Sequence, residues 1–165
     1  MTDAMKEGLI DQMNAEYYSS YLYLAIANWF RDQNLDGIGT WMEVQAAEEH
    51  EHAMKLYRYL HDRGVTPRFS AIDQPPSEWP NIEAALEAVL EHERYISGRI
   101  DKLADQALTD RDHATRVLLD WYVNEQVEEE ASAEEILRQA RMLSASPQGL
   151  FLLDRELGQR TAGGE

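Results

Sequence analysis

Apolar positions in this chain recur in alternating steps of four and three residues, which gathers side chains on one face of an α-helix. The clearest stretch is Ile82, Leu86, Val89, Glu93, Ile96, Ile100, Leu103. Every member is aliphatic except the one in the middle, a carboxylate. The same period runs through Leu9, Met13, Glu16, Ser20, Tyr23, Ala27, Phe30 and through Trp41, Gln45, Glu49, His52, Leu56, Tyr59. It returns in Leu119, Tyr122, Gln126, Glu129, Ala133, Ile136, Ala140, Leu143. No strand-like alternation is sustained.

The pattern predicts an all-α single domain over residues 1–165, with four long helices and a short fifth. The first helix spans about Asp3 to Arg31, ending in the polar turn Asp32-Gln33-Asn34. The second spans about Gly37 to Arg63 and is closed by Gly64. Asn81 caps a third that reaches about Leu108, and Asp110 or Asp112 opens a fourth that ends near Leu143. Ser146-Pro147 starts a short amphipathic helix over about 147–158, with serine at the cap and proline at the first position. Residues 161–165 read as a frayed tail.

Connection lengths carry the topology. Short turns make antiparallel hairpins of the first and second helices, and of the third and fourth. The proline-rich stretch from Val65 to Pro80 cannot be helical throughout and is long for a bundle loop. It is long enough to run the height of the bundle, leaving the second and third helices parallel. The expected architecture is a four-helix bundle, over about 3–143, with one long crossover.

Each long helix carries its polar interruption near its middle, so Glu16, Glu49, His52, Glu93, Gln126 and Glu129 should meet in one layer. A lone glutamate on a helix is more often solvated than a ligand, but coincident buried carboxylates without a cation are costly. Oxygen donors with one imidazole suit iron or manganese better than structural zinc. Two ions sharing carboxylates would balance the charge, with Glu49 best placed to bridge. Di-iron carboxylate bundles pair a glutamate from each of two helices with Glu-x-x-His from the other two. Here the fourth helix offers Gln126-x-x-Glu129 instead, a weaker corner.

Composition narrows the partners. Acidic residues outnumber basic ones 31 to 15, for a net charge of -16. Such a chain attracts cations and repels nucleic acid and anionic membranes. The absence of cysteine removes disulfides, thiolate zinc sites and cysteine-ligated clusters, and fits a cytoplasmic protein. The uncharged run from Tyr17 to Phe30 is shorter than the roughly 20 apolar residues of a bilayer span. The N-terminal residues lack the basic-then-apolar pattern of a signal peptide. The expectation is a soluble chain with neither nucleic-acid nor membrane partners.

The chain resembles the non-haem ferritins of bacteria and archaea along essentially its whole length. The resemblance is carried by Asn14-Ala15-Glu16-Tyr17-Tyr18-Ser19, by Glu48-Glu49-His50-Glu51-His52-Ala53-Met54, and by Glu91-His92-Glu93. The most specific stretch is Trp121-Tyr122-Val123-Asn124-Glu125-Gln126-Val127-Glu128-Glu129-Glu130. It implies a ferritin-like four-helix bundle with a dinuclear ferroxidase centre, oxidising Fe(II) with dioxygen or peroxide. Glu16, Glu49 and His52 match the ligands of one iron; Glu49, Glu93 and Glu129, with Gln126 beside them, match those of the second. Glu48, Glu125, Glu128 and Glu129 match a third iron site. Tyr23 matches a tyrosine beside the centre, and Trp121 is placed to pack there or to donate electrons.

The resemblance further implies iron storage as ferric mineral inside a hollow homo-oligomeric shell, usually of twenty-four subunits, whose symmetry axis the short last helix lines. Haem is not expected. Haem-binding relatives carry a methionine after the bridging glutamate, where this chain has His50, and a second Glu-x-x-His on the fourth helix. His61, His92 and His113 read as surface residues. Two other readings stay open: a di-iron peroxidase without mineral storage, similar to rubrerythrins though lacking their cysteine-ligated module, and a metal-free acidic scaffold.

Overall fold

A computed structural model describes residues 1–159; the expected tail at 161–165 lies outside the described residues. The order is α1 (Asp3–Asp32), α2 (Asp36–Asp62), α3 (Ile82–Thr109), α4 (His113–Leu143) and α5 (Pro147–Leu157). Among the described residues there is no strand.

Local chemistry sets the helix ends. Thr2 Oγ1 accepts from Met5 N at 3.2 Å, Asn81 Oδ1 from Ala84 N at 2.8 Å, and Ser146 Oγ from Gly149 N at 2.9 Å. These caps satisfy amides that have no partner inside the helix. Gly64, at φ +72, turns the chain out of α2 while Val65 N reaches back to Leu60 O. Of the two aspartates that could open α4, Asp112 does so, with Oδ1 accepting from Thr115 N at 3.2 Å. Asp110 instead closes α3 and accepts from Thr2 Oγ1, tying that turn to the N-terminus.

α1 packs on α2 and α3 on α4, with α1 also against α3. The crossover tracks α1. Arg68 O accepts from Asn14 and Ser70 N donates to Asn14 Oδ1, while Phe69 packs at a tilt against Tyr17 and Tyr57. Trp79 then meets Trp29 near the opposite end. This traverse leaves α2 and α3 parallel.

Two apolar clusters fill the bundle. One gathers Ile26, Phe30, Ile38, Met42, Leu86, Val89 and Leu137, and the other gathers Met5, Leu9, Leu56, Ile96, Ile100 and Tyr122. The polar interruptions lie in the layer between them. α2 and α4 make no close backbone approach across this layer. They are joined by side chains: Gln45 donates to Glu129 at 2.7 Å, and Tyr122 OH to His52 O at 2.7 Å.

α5 folds back against α2 and α4. α2 lacks a side-chain cap of its own, and Asp154 Oδ1 supplies one from α5 by accepting from Ile38 N at 2.9 Å. No helix among the described residues is long and apolar enough to cross a membrane.

Candidate metal centre

The middle layer draws Glu16 from α1, Glu49 and His52 from α2, Glu93 from α3, and Gln126 and Glu129 from α4. All are buried except Glu129, which is partly so. One ligand atom each from Glu16, Glu49 and His52 lies within 4.8 Å of the others, and so do atoms of His52, Glu125 and Glu129. His52 therefore sits between two potential donor sets. The i,i+3 spacing on α2 puts Glu49 and His52 on one face, as helical geometry requires.

Hydrogen bonding separates these carboxylates sharply. Glu93 is met twice, by the Tyr23 hydroxyl in a short bond to Oε1 and by Gln126 Nε2 at 3.1 Å to Oε2. The carboxylate stranded in the aliphatic seam thus has donors within the protein, and it joins neither donor set. The unmet demand lies elsewhere. Glu16 Oε2, both oxygens of Glu49 and His52 Nδ1 are buried without a hydrogen-bond partner. Native proteins rarely leave such atoms unpaired unless an ion or water meets them. Acceptor atoms converging from three side chains fit a cation.

The electrostatics agree. Burial, then the charge of Glu49, raises the Glu16 carboxyl well above its ordinary range. Burial, followed by the charges of Glu93 and Glu129, does the same to Glu49. Glu93 is raised by burial, against the lowering effect of Tyr23 and Gln126. Glu129 is pushed up to about 7 by burial and by Glu93. Burial and mutual repulsion thus disfavour the ionised forms of these carboxyls, and a cation among them would favour ionisation again. With no cation, Glu16 and Glu49 lie close enough to share a proton.

Known proteins place this geometry in context. The ferritin-like domain family matches residues 6–143. The chain belongs to that family. This ferritin-like chain is 39% identical over 150 residues to a probable bacterial non-heme ferritin-like protein of Haemophilus influenzae, covering 91% of each. It is 35% identical to the bacterial non-heme ferritin of Escherichia coli, over 93% of each chain. Among solved structures it superposes on an open pore ferritin from the hyperthermophilic archaeon Archaeoglobus fulgidus with a TM-score of 0.96. That pair is 43% identical over 98% of this chain and 99% of the other.

The remaining residues fall unevenly around the centre. Glu125 joins His52 and Glu129, and Glu48 is half-buried and near enough for its charge to raise Glu49 and Glu129. Glu128 is exposed and joins neither donor set. Trp121 stands edge-on to His52, ring centroids 5.4 Å apart, with Lys55 Nζ 3.5 Å above its indole.

The surface reading of His92 is corrected. Its Nε2 lies 2.8 Å from Ser19 Oγ, it packs among Tyr18, Tyr23 and Tyr95, and burial lowers its pKa to about 4. The neighbours Glu91 and Arg94 disguise it in the sequence. Sequence reasoning also passes over Gln12, fully buried and donating to Glu16 Oε1 at 2.8 Å. The signal available was its position four residues before Glu16.

Proposed function

We propose that this chain stores iron, oxidising Fe(II) at the mid-bundle centre and holding the ferric product inside a multi-subunit shell. The observation that carries the reading is the set of buried unpartnered atoms on Glu16, Glu49 and His52. Glu16, Glu49 and His52 would hold one ferrous ion, and Glu49, Glu93 and Glu129, beside Gln126, a second. Glu49 would bridge the two, because both its oxygens are free of donors. Each ion gives up one electron. A dioxygen molecule takes both, with two protons, and leaves as hydrogen peroxide, which can oxidise a further pair. Carboxylate charge favours the ferric state of the product.

Glu125 and Glu129, with Glu48 near them, would form the way out toward a third site, to which Glu128 could swing from the surface. Gln126 binds more weakly than a carboxylate, so the second ion leaves more readily. The relatives named as ferritins support storage over an isolated oxidase. A shell, of twenty-four subunits in the family's usual form, is supported by the exposed Phe151 and Leu152 on α5 and Val127 and Met142 on α4. Large apolar side chains on the outside mark contact surfaces.

Stopped-flow mixing of Fe(II) with aerobic protein should show fast oxidation that Glu49→Ala abolishes. Unchanged rates in the variant would overturn the assignment.

A further inference from the structure

Three carboxylates of the centre each receive one hydrogen bond from a glutamine amide. Gln12 donates to Glu16 at 2.8 Å, Gln126 to Glu93 at 3.1 Å, and Gln45 to Glu129 at 2.7 Å. Glu49, whose two oxygens are both unpartnered, receives none. Only the carboxylate placed to bridge two ions is left with both oxygens open.

The Gln12 link extends outward. The half-buried Arg99 on α3 donates through Nε to Gln12 Oε1 at 2.8 Å. A guanidinium can only donate, so the oxygen of the Gln12 amide must face Arg99 and its NH₂ must face Glu16. An amide fixed this way cannot turn its oxygen toward the carboxylate. It occupies Glu16 Oε1 and leaves Oε2, the atom without a partner, toward Glu49 and His52. Arg99 is itself held by its Nη1 bond to Tyr95 OH at 3.1 Å and stands at the edge of an outer cavity of about 410 Å³ that also reaches Tyr18 and His92.

We propose that Gln12 and Arg99 are positioning residues that favour one-oxygen ligation by Glu16: Arg99 orients the amide, and the amide takes up a lone pair of Oε1 and holds the carboxylate with the unpartnered Oε2 toward the metal. This rests on the reading of Glu16 as an iron ligand. Freed of the amide, Glu16 could chelate with both oxygens, raising the coordination number of its ion and slowing its oxidation and departure. Changes of this kind around a metal ligand typically alter affinity or activity about 10- to 100-fold.

The test uses the assembled protein and Co(II), whose visible absorption weakens as coordination number rises. Gln12→Leu should bind Co(II) with weaker absorption per bound ion than the wild type. Its kcat for Fe(II) oxidation should fall about 10-fold, with a smaller change in KM. Arg99→Met, at a half-buried position, should shift the spectrum the same way. Arg99→Lys, which keeps a donor, should restore it. Spectra and kinetics identical to wild type in Arg99→Met, or in a folded Gln12→Leu, overturn the proposal. Failure of the wild type to bind Co(II) at Glu16, Glu49 and His52 would instead overturn the metal-centre reading beneath it.

Discussion

His52 Nδ1 lies 3.6 Å from Oε2 of Glu49, one turn earlier on α2, and neither atom has a hydrogen-bond partner. Metal bonds of about 2.1 Å at octahedral or tetrahedral angles hold neighbouring donors about 3.0 to 3.4 Å apart. The pair is therefore within a small adjustment of sharing one ion.

That arrangement makes Glu49 costly to the metal-free fold. Glu49→Gln removes a buried carboxyl that must either stay charged without a donor or take up a proton on folding, and should stabilise the metal-free protein at neutral pH by about 1–3 kcal/mol. Urea unfolding in chelator measures this, and the same variant should lose the stabilisation that divalent ions give the wild type. Equal stability of Glu49→Gln and the wild type in chelator would contradict this cost.

The pH dependence follows from the raised acids. Glu129 titrates at about 7 in the folded chain against an ordinary 4.5, through burial first and then Glu93. A group raised on folding contributes stability that is complete below its unfolded value and is lost as pH rises through the folded one. Metal-free protein should thus weaken between about pH 4.5 and 7.5, by about 2 kcal/mol from Glu129 after solvent screening. Glu16, Glu49 and Glu93 act in the same direction. Divalent ions should reverse the loss and release protons on binding. Thermal melts across this range, with and without Co(II), check both the sign and the reversal.

How much of this was legible in the sequence differs by element. The period of the apolar positions and the connection lengths were enough for four helices and one crossover. The residues interrupting each seam were enough to place Glu16, Glu49, His52, Glu93, Gln126 and Glu129 in one layer. The partners of those residues were not legible. Tyr23 and Gln126 meet Glu93 only because α1, α3 and α4 converge at one height. Arg99 looks like one more surface cation until α3 lies beside α1. The choice between Asp110 and Asp112 depended on a turn in which Arg111 takes φ 53 and Asp112 N bonds to Ala107 O.

Asp112 does more than cap α4. Burial raises its carboxyl, but hydrogen bonds from Arg63 and Thr115 outweigh that and hold it at about 2. Arg63 pairs with it at 3.1 Å from the end of α2, tying that helix to the start of α4. Here the folded value lies below the ordinary one. The contribution is present above about pH 3.8 and lost as pH falls through 2. Asp112→Ala should cost about 2 kcal/mol near neutrality, and the penalty should shrink in acid. Denaturant titrations at pH 7 and pH 3 would show both.

α5 is docked tightly enough for one methyl group to matter. A Cβ added to Gly37 would come 1.7 Å from the Asp154 carbonyl oxygen, a backbone atom that cannot swing aside. Gly37→Ala should displace α5, remove the Asp154 bond to Ile38 N, and cost about 1–3 kcal/mol. Limited proteolysis should then cut between residues 143 and 147 faster than in wild type. An unchanged cleavage rate would mean that α2 shifts to accommodate the methyl.

The central claim concerns two ions in one layer. Anomalous diffraction at the iron edge, from crystals soaked anaerobically in Fe(II), tests it most directly. Two peaks are expected between the apolar clusters, one reached by Glu16 and His52, the other by Glu93 and Glu129, with an oxygen of Glu49 on each. A middle layer without iron, its peaks confined to acidic side chains on the surface, would contradict the account.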